Sequence, residues 1–177
     1  RQTTVKRLAT GAHPLLGSRL RSPAIEGVVF ESTLSIEDWS LLGEHRVYGA
    51  PVFPATAYVE LVLAAASEIF GAGTHTVEGL IIQQAMTVPD GESCSLQVML
   101  SPAQDGLADF QIFSAANEAD WQLHAAGKVH VAAPFSAPPE TTLDVARSRC
   151  TVEIEPARFY ERIAERGLDY GPHFQTI

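Results

Sequence analysis

Residues 55–70, ATAYVELVLAAASEIF, constrain the fold more than any other stretch because a helix formed there is apolar on nearly every side. Pro54 suits the first turn of a helix, and Gly71 can end one in the left-handed conformation. Such a helix is normally buried. Glu60 and Glu68 interrupt the run, which falls short of the roughly 18 continuous apolar residues of a membrane span. The helix therefore needs other elements to cover it.

Strand patterns at short spacing can supply this cover. Segments 27–36, 77–88, 93–100, 107–115 and 121–131 are rich in β-branched and aromatic residues or alternate between apolar and polar ones. Turn residues separate the later segments, which is typical of an antiparallel meander. A long early helix followed by consecutive strands predicts an α+β fold with the helix on one face of the sheet.

Composition divides the chain into four parts. They are a polar N-terminal arm at 1–12, the helix and strands at 13–132, a linker at 133–149 that begins rich in Pro, Ala and Thr, and an unfinished second unit at 150–177. In this second unit, CTVEIE at 150–155 predicts a strand, and PARFYERIAERG predicts a helix that begins near Pro156 and ends before Gly167.

Charge and cysteine content exclude some classes of function. The net charge is −9, with 21 acidic and 12 basic residues, whereas nucleic-acid binding needs a basic face. The two cysteines make no disulfide scaffold, and the chain opens without a signal peptide pattern, so we expect a cytoplasmic protein.

The histidines show no spacing typical of a metal site, and we expect neither a metal nor another cofactor. The alternation of segment 121–131 places His124 and His130 on the polar face with Lys128, where a structural or solvated role is expected.

His45 has a different context, because it lies in a loop punctuated by Gly and Pro directly before the long helix. The free N–H groups and partial positive charge of a helix N-terminus can polarise a carbonyl oxygen. A neutral imidazole alongside can then take a proton from the adjacent carbon. On spacing alone, a structural role for this lone histidine is the more common alternative.

Four motifs, in order, resemble those of the dehydratase domains of modular type I polyketide synthases. HRVYGAPVFP, from His45 to Pro54, matches H-x-x-x-G-x-x-x-x-P, and HPLLG at 13–17 resembles the opening of that domain. WQLHAAGKV at 121–129 is similar to its W-x-x-H-A-x-G strand, and GLDYGPHFQ at 167–175 to its G-x-x-Y-G-P-x-F motif. The family commonly has glycine after the motif proline, where this chain has Ala55.

The resemblance implies a double hotdog fold, two tandem units that each wrap a curved antiparallel sheet around a long helix. Residues 13–132 would be the first hotdog, and the second would begin at about 150. It also implies a hydro-lyase that removes water from a β-hydroxyacyl thioester and leaves an α,β-unsaturated thioester during polyketide chain assembly.

The same matches imply roles for individual residues. His45 takes the position of the catalytic base. The implied substrate-binding residues are Gly49, Pro54, Tyr170, Gly171 and Pro172. The catalytic acid of the family is an aspartate in a D-x-x-x-Q/H motif, for which we find no match before Ile177, so we expect this fragment alone to be inactive.

The implied partners are an acyl carrier protein, whose phosphopantetheine arm carries the substrate, other polyketide synthase domains and a second copy in a homodimer. Neither nucleic acid nor membrane is expected as a partner. Three alternatives stay open: a non-catalytic acyl-binding or scaffold hotdog, a product-template cyclase, and a double-bond isomerase on the same fold.

Overall fold

The computed structural model describes residues 13–116, 120–131 and 142–177, so the predicted arm at 1–12 and residues 133–141 of the predicted linker lie outside the described residues. The strands are β1 (Ser18–Leu20), β2 (Val28–Ser35), β3 (His45–Val47), β4 (Ala50–Pro51), β5 (Thr76–Ile82), β6 (Ser93–Leu100), β7 (Leu107–Ala115), β8 (Gln122–His130) and β9 (Leu168–Tyr170). The α-helices are α1 (Ala55–Phe70), α2 (Leu143–Arg149) and α3 (Pro156–Ala164).

Among the described residues, a sheet of six strands forms the main layer. Its order is β1-β2-β6-β7-β8-β5, and all neighbouring strands are antiparallel. The strands predicted at 27–36, 93–100 and 107–115 are confirmed. In β6, alternate residues from Cys94 to Leu100 are buried, which is the pattern of a sheet with one face on the core.

α1 lies against this sheet and contacts β5, β6 and β8. Its fully buried residues are Tyr58, Leu61, Val62, Ala65 and Ala66. Thr56, Glu60 and Ser67 on other sides are exposed, so the described residues cover one face of the helix rather than all of it. This is the predicted α+β hotdog arrangement, with the core between helix and sheet. Among the described residues, no helix is long and apolar enough to span a bilayer.

The strand predicted at 77–88 ends at Ile82, earlier than expected. The register of β5 against β8 shifts between Glu78 and Ile81, next to Gly79 with φ +61°. Residues 83–88 then leave the sheet edge and run to the segment before α1, where Val52 and Thr87 form an isolated antiparallel bridge. The second half of the predicted strand is therefore a connection between the sheet and the loop that contains His45.

The region after residue 142 agrees only partly with prediction. The helix predicted from Pro156 is confirmed as α3. The strand predicted at 150–155 was wrong, since this segment has no regular secondary structure and exposes Val152 and Ile154. An alternating pattern becomes a strand only when a neighbour pairs with its backbone, and no described segment does so. α2 also lies within the predicted linker.

A bulge in β8 overturns the prediction for His124. Ile112 of β7 pairs with Ala125, whereas the next residue, Phe113, pairs with Leu123, which leaves His124 as an extra residue. A bulge makes two successive side chains deviate from strict alternation. His124 and Ala125 are both buried as a result. The polar-face prediction holds for Lys128, which forms an ion pair with Asp109.

Candidate active site

The local fold around His45 begins with a tight hairpin. β3 and β4 are antiparallel and joined by Tyr48 and Gly49, which have φ values of 50° and 79°. A two-residue loop with positive φ at both positions has the type I′ conformation, which glycine adopts without strain. The turn brings Val52, directly after β4, opposite His45 at the start of β3.

A backbone carbonyl fixes the orientation of the His45 imidazole, which is half-buried. The distance from Nδ1 to the carbonyl oxygen of Val52 is 2.8 Å. The N–H of Val52 in turn donates to the carbonyl oxygen of His45 at 2.9 Å. A carbonyl oxygen can only accept, so Nδ1 carries the hydrogen in the neutral ring and Nε2 keeps its lone pair. Nε2 is therefore free to act as a base.

Two aromatic rings from the far end of the chain contact this imidazole. β9 pairs antiparallel with β3, with Tyr170 directly opposite His45. The Tyr170 ring stacks on the imidazole at a centroid distance of 4.9 Å and an interplanar angle of 22°. The Phe174 ring lies 5.1 Å away and is tilted by 56°. The structure thus places Tyr170, one of the implied substrate-binding residues, against His45, while its contact with substrate stays a prediction. It also adds Phe174, which the sequence analysis missed although it lies within the matched motif.

Gly171 and Pro172 directly follow Tyr170 and determine the backbone path after β9. The N–H of Gly171 donates to the carbonyl oxygen of Glu44 at 2.8 Å. A Cβ at Gly171 would lie 2.6 Å from Cγ of Glu44, so the close approach requires glycine. Pro172 begins a short 3-10 helix that ends at Phe174. Direct substrate contact by either residue stays a prediction.

The Glu44 carboxylate holds the same segment in place. It accepts hydrogen bonds from the backbone N–H and from Nδ1–H of His173, both at 2.8 Å. These bonds stabilise the charged form and lower the pKa of Glu44. The carboxylate therefore fastens the Tyr170–Phe174 segment beside His45, a role that the sequence analysis did not predict.

Arg46, on the other side of His45, holds the hairpin. Its guanidinium donates to both carboxylate oxygens of Asp90, at 2.7 and 3.0 Å, and to the carbonyl oxygens of Gly43 and Gly49, each at 2.9 Å. The Asp90 pairing raises the pKa of Arg46, and Arg46 lowers the pKa of Asp90. These bonds connect the hairpin tip at Gly49 to Gly43 before β3 and to Asp90.

Gly49 and Pro54 occupy different places relative to His45. Gly49 lies at the tip of the hairpin, and Pro54 is the residue that precedes α1. The N–H of Phe53 donates to the carbonyl oxygen of Met86, so it is already paired. As at every helix N-terminus, the first N–H groups of α1 lack partners within the helix. A backbone donor role for Gly49 stays a prediction.

The implied substrate tunnel also stays a prediction. Two open depressions in the described surface lie away from His45, one along residues 19–27 and one on the sheet face near Gly127. Among the described residues, no group of three or more His, Cys, Asp and Glu side chains is arranged to hold a metal ion.

Family comparisons cover most of the described chain. The family model of the polyketide synthase dehydratase domain matches residues 13–115, which include His45. A second, of the polyketide synthase dehydratase N-terminal domain, matches residues 138–177, which include Tyr170. The first match thus contains His45, and the second contains Tyr170 and Phe174, the two rings that contact it.

The similar curated proteins are large synthases. The chain is 36% identical over 180 residues to the spectinabilin polyketide synthase system protein NorB of Streptomyces orinoci, with 99% of this chain and 8% of that protein covered. It is 32% identical over 172 residues to mycoketide-CoA synthase of Mycobacterium tuberculosis, with 96% and 4% covered. The chain therefore spans less than a tenth of each of these relatives.

Solved structures agree with these sequence matches. The dehydratase domain from the CurK module of curacin polyketide synthase superposes with a TM-score of 0.84 at 29% identity, covering 93% of this chain and 59% of that chain. The CurF dehydratase domain gives 0.83 at 30% identity, covering 93% and 60%. Two further CurK dehydratase structures are inactive mutants, one with a histidine replaced by phenylalanine and one with an aspartate replaced by asparagine.

Proposed function

Because the chain belongs to the polyketide synthase dehydratase family, we propose that it carries the basic half of a site that dehydrates a β-hydroxyacyl thioester. The supporting observation is the hydrogen bond from Nδ1–H of His45 to the carbonyl oxygen of Val52, because it leaves Nε2 as the basic nitrogen. The inactive histidine mutant of the CurK dehydratase is consistent with this role.

In the proposed reaction, Nε2 of His45 removes a proton from the carbon between the thioester carbonyl and the hydroxyl-bearing carbon. Backbone N–H groups at the start of α1 polarise the thioester oxygen, which makes this proton more acidic. The new C=C bond forms as the C–O bond breaks. The leaving hydroxyl takes a proton from an acid and departs as water, so a second catalytic group is needed.

We assign this acid to an aspartate elsewhere in the parent synthase, in agreement with the inactive aspartate mutant of the CurK dehydratase. The rings that contact His45 among the described residues are those of Tyr170 and Phe174, and neither side chain is a carboxylic acid. The described chain therefore supplies the base, and the complete site needs the rest of the dehydratase domain.

The proposed substrate-binding residues have distinct tasks. Tyr170 covers one face of the His45 imidazole and forms a wall of the acyl site. Gly171 and Pro172 shape the turn behind it, while Gly49 and Pro54 set the path of the chain into α1. The acyl group arrives on the phosphopantetheine arm of an acyl carrier protein, and the elimination needs no metal or redox cofactor.

We also propose that the domain works within a multidomain synthase in the cytoplasm, as part of a homodimer. One similar curated protein is named as a polyketide synthase system protein and another as mycoketide-CoA synthase, and both are far longer than this chain, which supports the other synthase domains as partners. The net charge of −9 gives no basis for contact with nucleic acid.

Incubating the intact parent dehydratase domain with a 3-hydroxyacyl carrier protein, followed by mass spectrometry of the acyl arm, tests the proposal. We expect the loss of one water in the wild type, and no detectable loss in His45→Phe because phenylalanine cannot accept a proton. His130→Phe is a matched control, since His130 pairs with Glu78 at the surface. Cyclised or isomerised products without loss of water would instead favour the cyclase or isomerase alternative.

A further inference from the structure

We propose that the buried His124 is a positioning residue for His45, acting through the backbone of residues 83–88. This inference rests on the proposed function, because it concerns the geometry of the proposed base. His124 belongs to the WQLHAAGKV motif, and the reaction proposed above does not use it. The burial of its side chain and its hydrogen bonds argue against a solvated role and against a role in packing alone.

The position of His124 in the bulge directs its ring into the protein, where the residue is only 2% exposed. Nδ1 lies 3.1 Å from the carbonyl oxygen of Gln84, and Nε2 lies 2.7 Å from Oγ of Ser114. The carbonyl can only accept, so Nδ1 carries the hydrogen and Nε2 accepts from the Ser114 hydroxyl. Burial lowers the pKa of His124 and favours this neutral form.

The backbone of His124 holds the same segment. The N–H of Gln83 donates to the carbonyl oxygen of His124 at 2.8 Å, and the N–H of Gln84 lies 3.4 Å from the same oxygen. Together with the imidazole bond, these contacts attach the start of segment 83–88 to the bulge at two points. Within this segment, the His124 imidazole bonds to the backbone carbonyl oxygen of Gln84.

Segment 83–88 then holds the residues beside His45. The N–H of Phe53 donates to the carbonyl oxygen of Met86 at 2.8 Å, and the N–H of Val88 donates to the carbonyl oxygen of Pro51 at 3.3 Å. Val52, between these two attachment points, bridges to Thr87 and accepts the hydrogen bond from Nδ1–H of His45. A continuous series of contacts therefore leads from the His124 ring to the acceptor that sets the tautomer of His45.

Two amide substitutions separate the roles of the two ring nitrogens. In His124→Asn, the amide nitrogen can replace Nδ1 and still donate to the Gln84 carbonyl oxygen. In His124→Gln, the longer amide can replace Nε2 and reach Ser114, but not Gln84. Both variants are polar and similar in size to histidine, so a role in core packing predicts similar effects from the two.

We expect different kinetics for the two variants in the intact parent dehydratase domain. His124→Gln should lower kcat by about tenfold with little change in KM, because the base is misplaced while substrate binding is retained. His124→Asn should keep kcat within about threefold of wild type, because the bond to the segment is retained. Equal kcat values for folded Asn and Gln variants, or a lower value for Asn, would overturn the proposal.

A second measurement is independent of turnover. In NMR spectra, the Nδ1–H signal of His45 and slow hydrogen exchange of the Phe53 amide should persist in wild type and His124→Asn but weaken in His124→Gln. If both signals are unchanged in folded His124→Gln, the positioning role is wrong whatever the reaction. If the signals weaken in His124→Gln but the wild-type domain does not release water, the proposed function is wrong and the positioning role stands.

Discussion

The phenol of Tyr58 shows how a single buried polar group can affect stability. Tyr58 is 1% exposed and contacts the Phe53 ring edge-on at 4.9 Å. Within the described structure, its hydroxyl makes no hydrogen bond of normal geometry. Burial raises its pKa to about 12, and a smaller opposing effect comes from the backbone of Met86. The protein therefore holds this tyrosine in its neutral form.

We predict that Tyr58→Phe changes the free energy of unfolding near neutral pH by less than about 1 kcal/mol, because the lost hydroxyl makes no hydrogen bond of normal geometry with the described residues. At high pH the variant should be more stable than wild type. Tyrosine ionises near 10.0 when unfolded and near 12 when folded, so the unfolded wild type holds fewer protons between these values and stability falls as pH rises. Urea unfolding at several pH values measures this.

The exposed Tyr48 provides the control, since this residue is 84% exposed. Tyr48→Phe should leave the fall in stability above pH 10.0 unchanged. If the fall persists equally in Tyr58→Phe, the shifted pKa belongs to another group.

At the scale of elements, the stability of the hotdog depends on the contact between α1 and the sheet. Leu61 is 0% exposed and lies in the main cluster of buried side chains with Leu96 and Ile112. We predict that Leu61→Asp prevents folding, because burying an unpaired carboxylate costs several kcal/mol and a domain has only about 5–15 kcal/mol of stability. Soluble yield and circular dichroism report the outcome.

Thr56→Asp introduces the same charge on the exposed first turn of α1. We expect it to fold normally, because a carboxylate near a helix N-terminus is favourable. A Leu61→Asp protein that unfolds with the same cooperativity and midpoint as wild type would contradict the buried position of this helix face.

The hairpin and β9 show how elements distant in sequence form the candidate site. The conformation of Tyr48 and Gly49 turns β3 back onto β4, and the turn residues themselves signal this. The pairing of β3 with β9 joins residues 45 and 170, and no local pattern specifies this pairing. The Glu44 bonds to His173 stabilise this pairing.

For the whole molecule, one edge of the described sheet exposes apolar side chains that can take part in association. β5 is an edge strand of the described sheet, with Ile81 63% and Ile82 41% exposed. Apolar side chains on an open strand edge favour pairing with another chain. The surface formed by Ile81 and Ile82 therefore gives a physical basis for the homodimer that we propose.

We predict that Ile81→Lys reduces self-association of the chain, because charge on a strand edge opposes pairing. Sedimentation velocity over a range of concentrations measures this. Gln111→Lys adds the same charge at an exposed position within β7, away from the edge, and should leave association unchanged. Equal association of wild type and Ile81→Lys would show that any dimer forms through another surface.

Much of the fold was predictable because its signals are local. The limits of α1 follow from Pro54 and Gly71, and the one-sided burial of β6 follows from its alternation. The predictions failed where a neighbouring element decides the outcome. Residues 150–155 have a strand pattern without a described partner, and the bulge that buries His124 depends on the pairing of β8 with β7.

The sequence by itself determined the long helix, the meander and the position of His45 before that helix, because periodicity and turn chemistry act over a few residues. The tertiary structure alone decided that Val52 orients the imidazole, that Tyr170 and Phe174 cover it, and that His124 turns inward. These contacts join residues whose backbone path and strand register must be fixed first, and the sequence carries no local signal for such long-range closure.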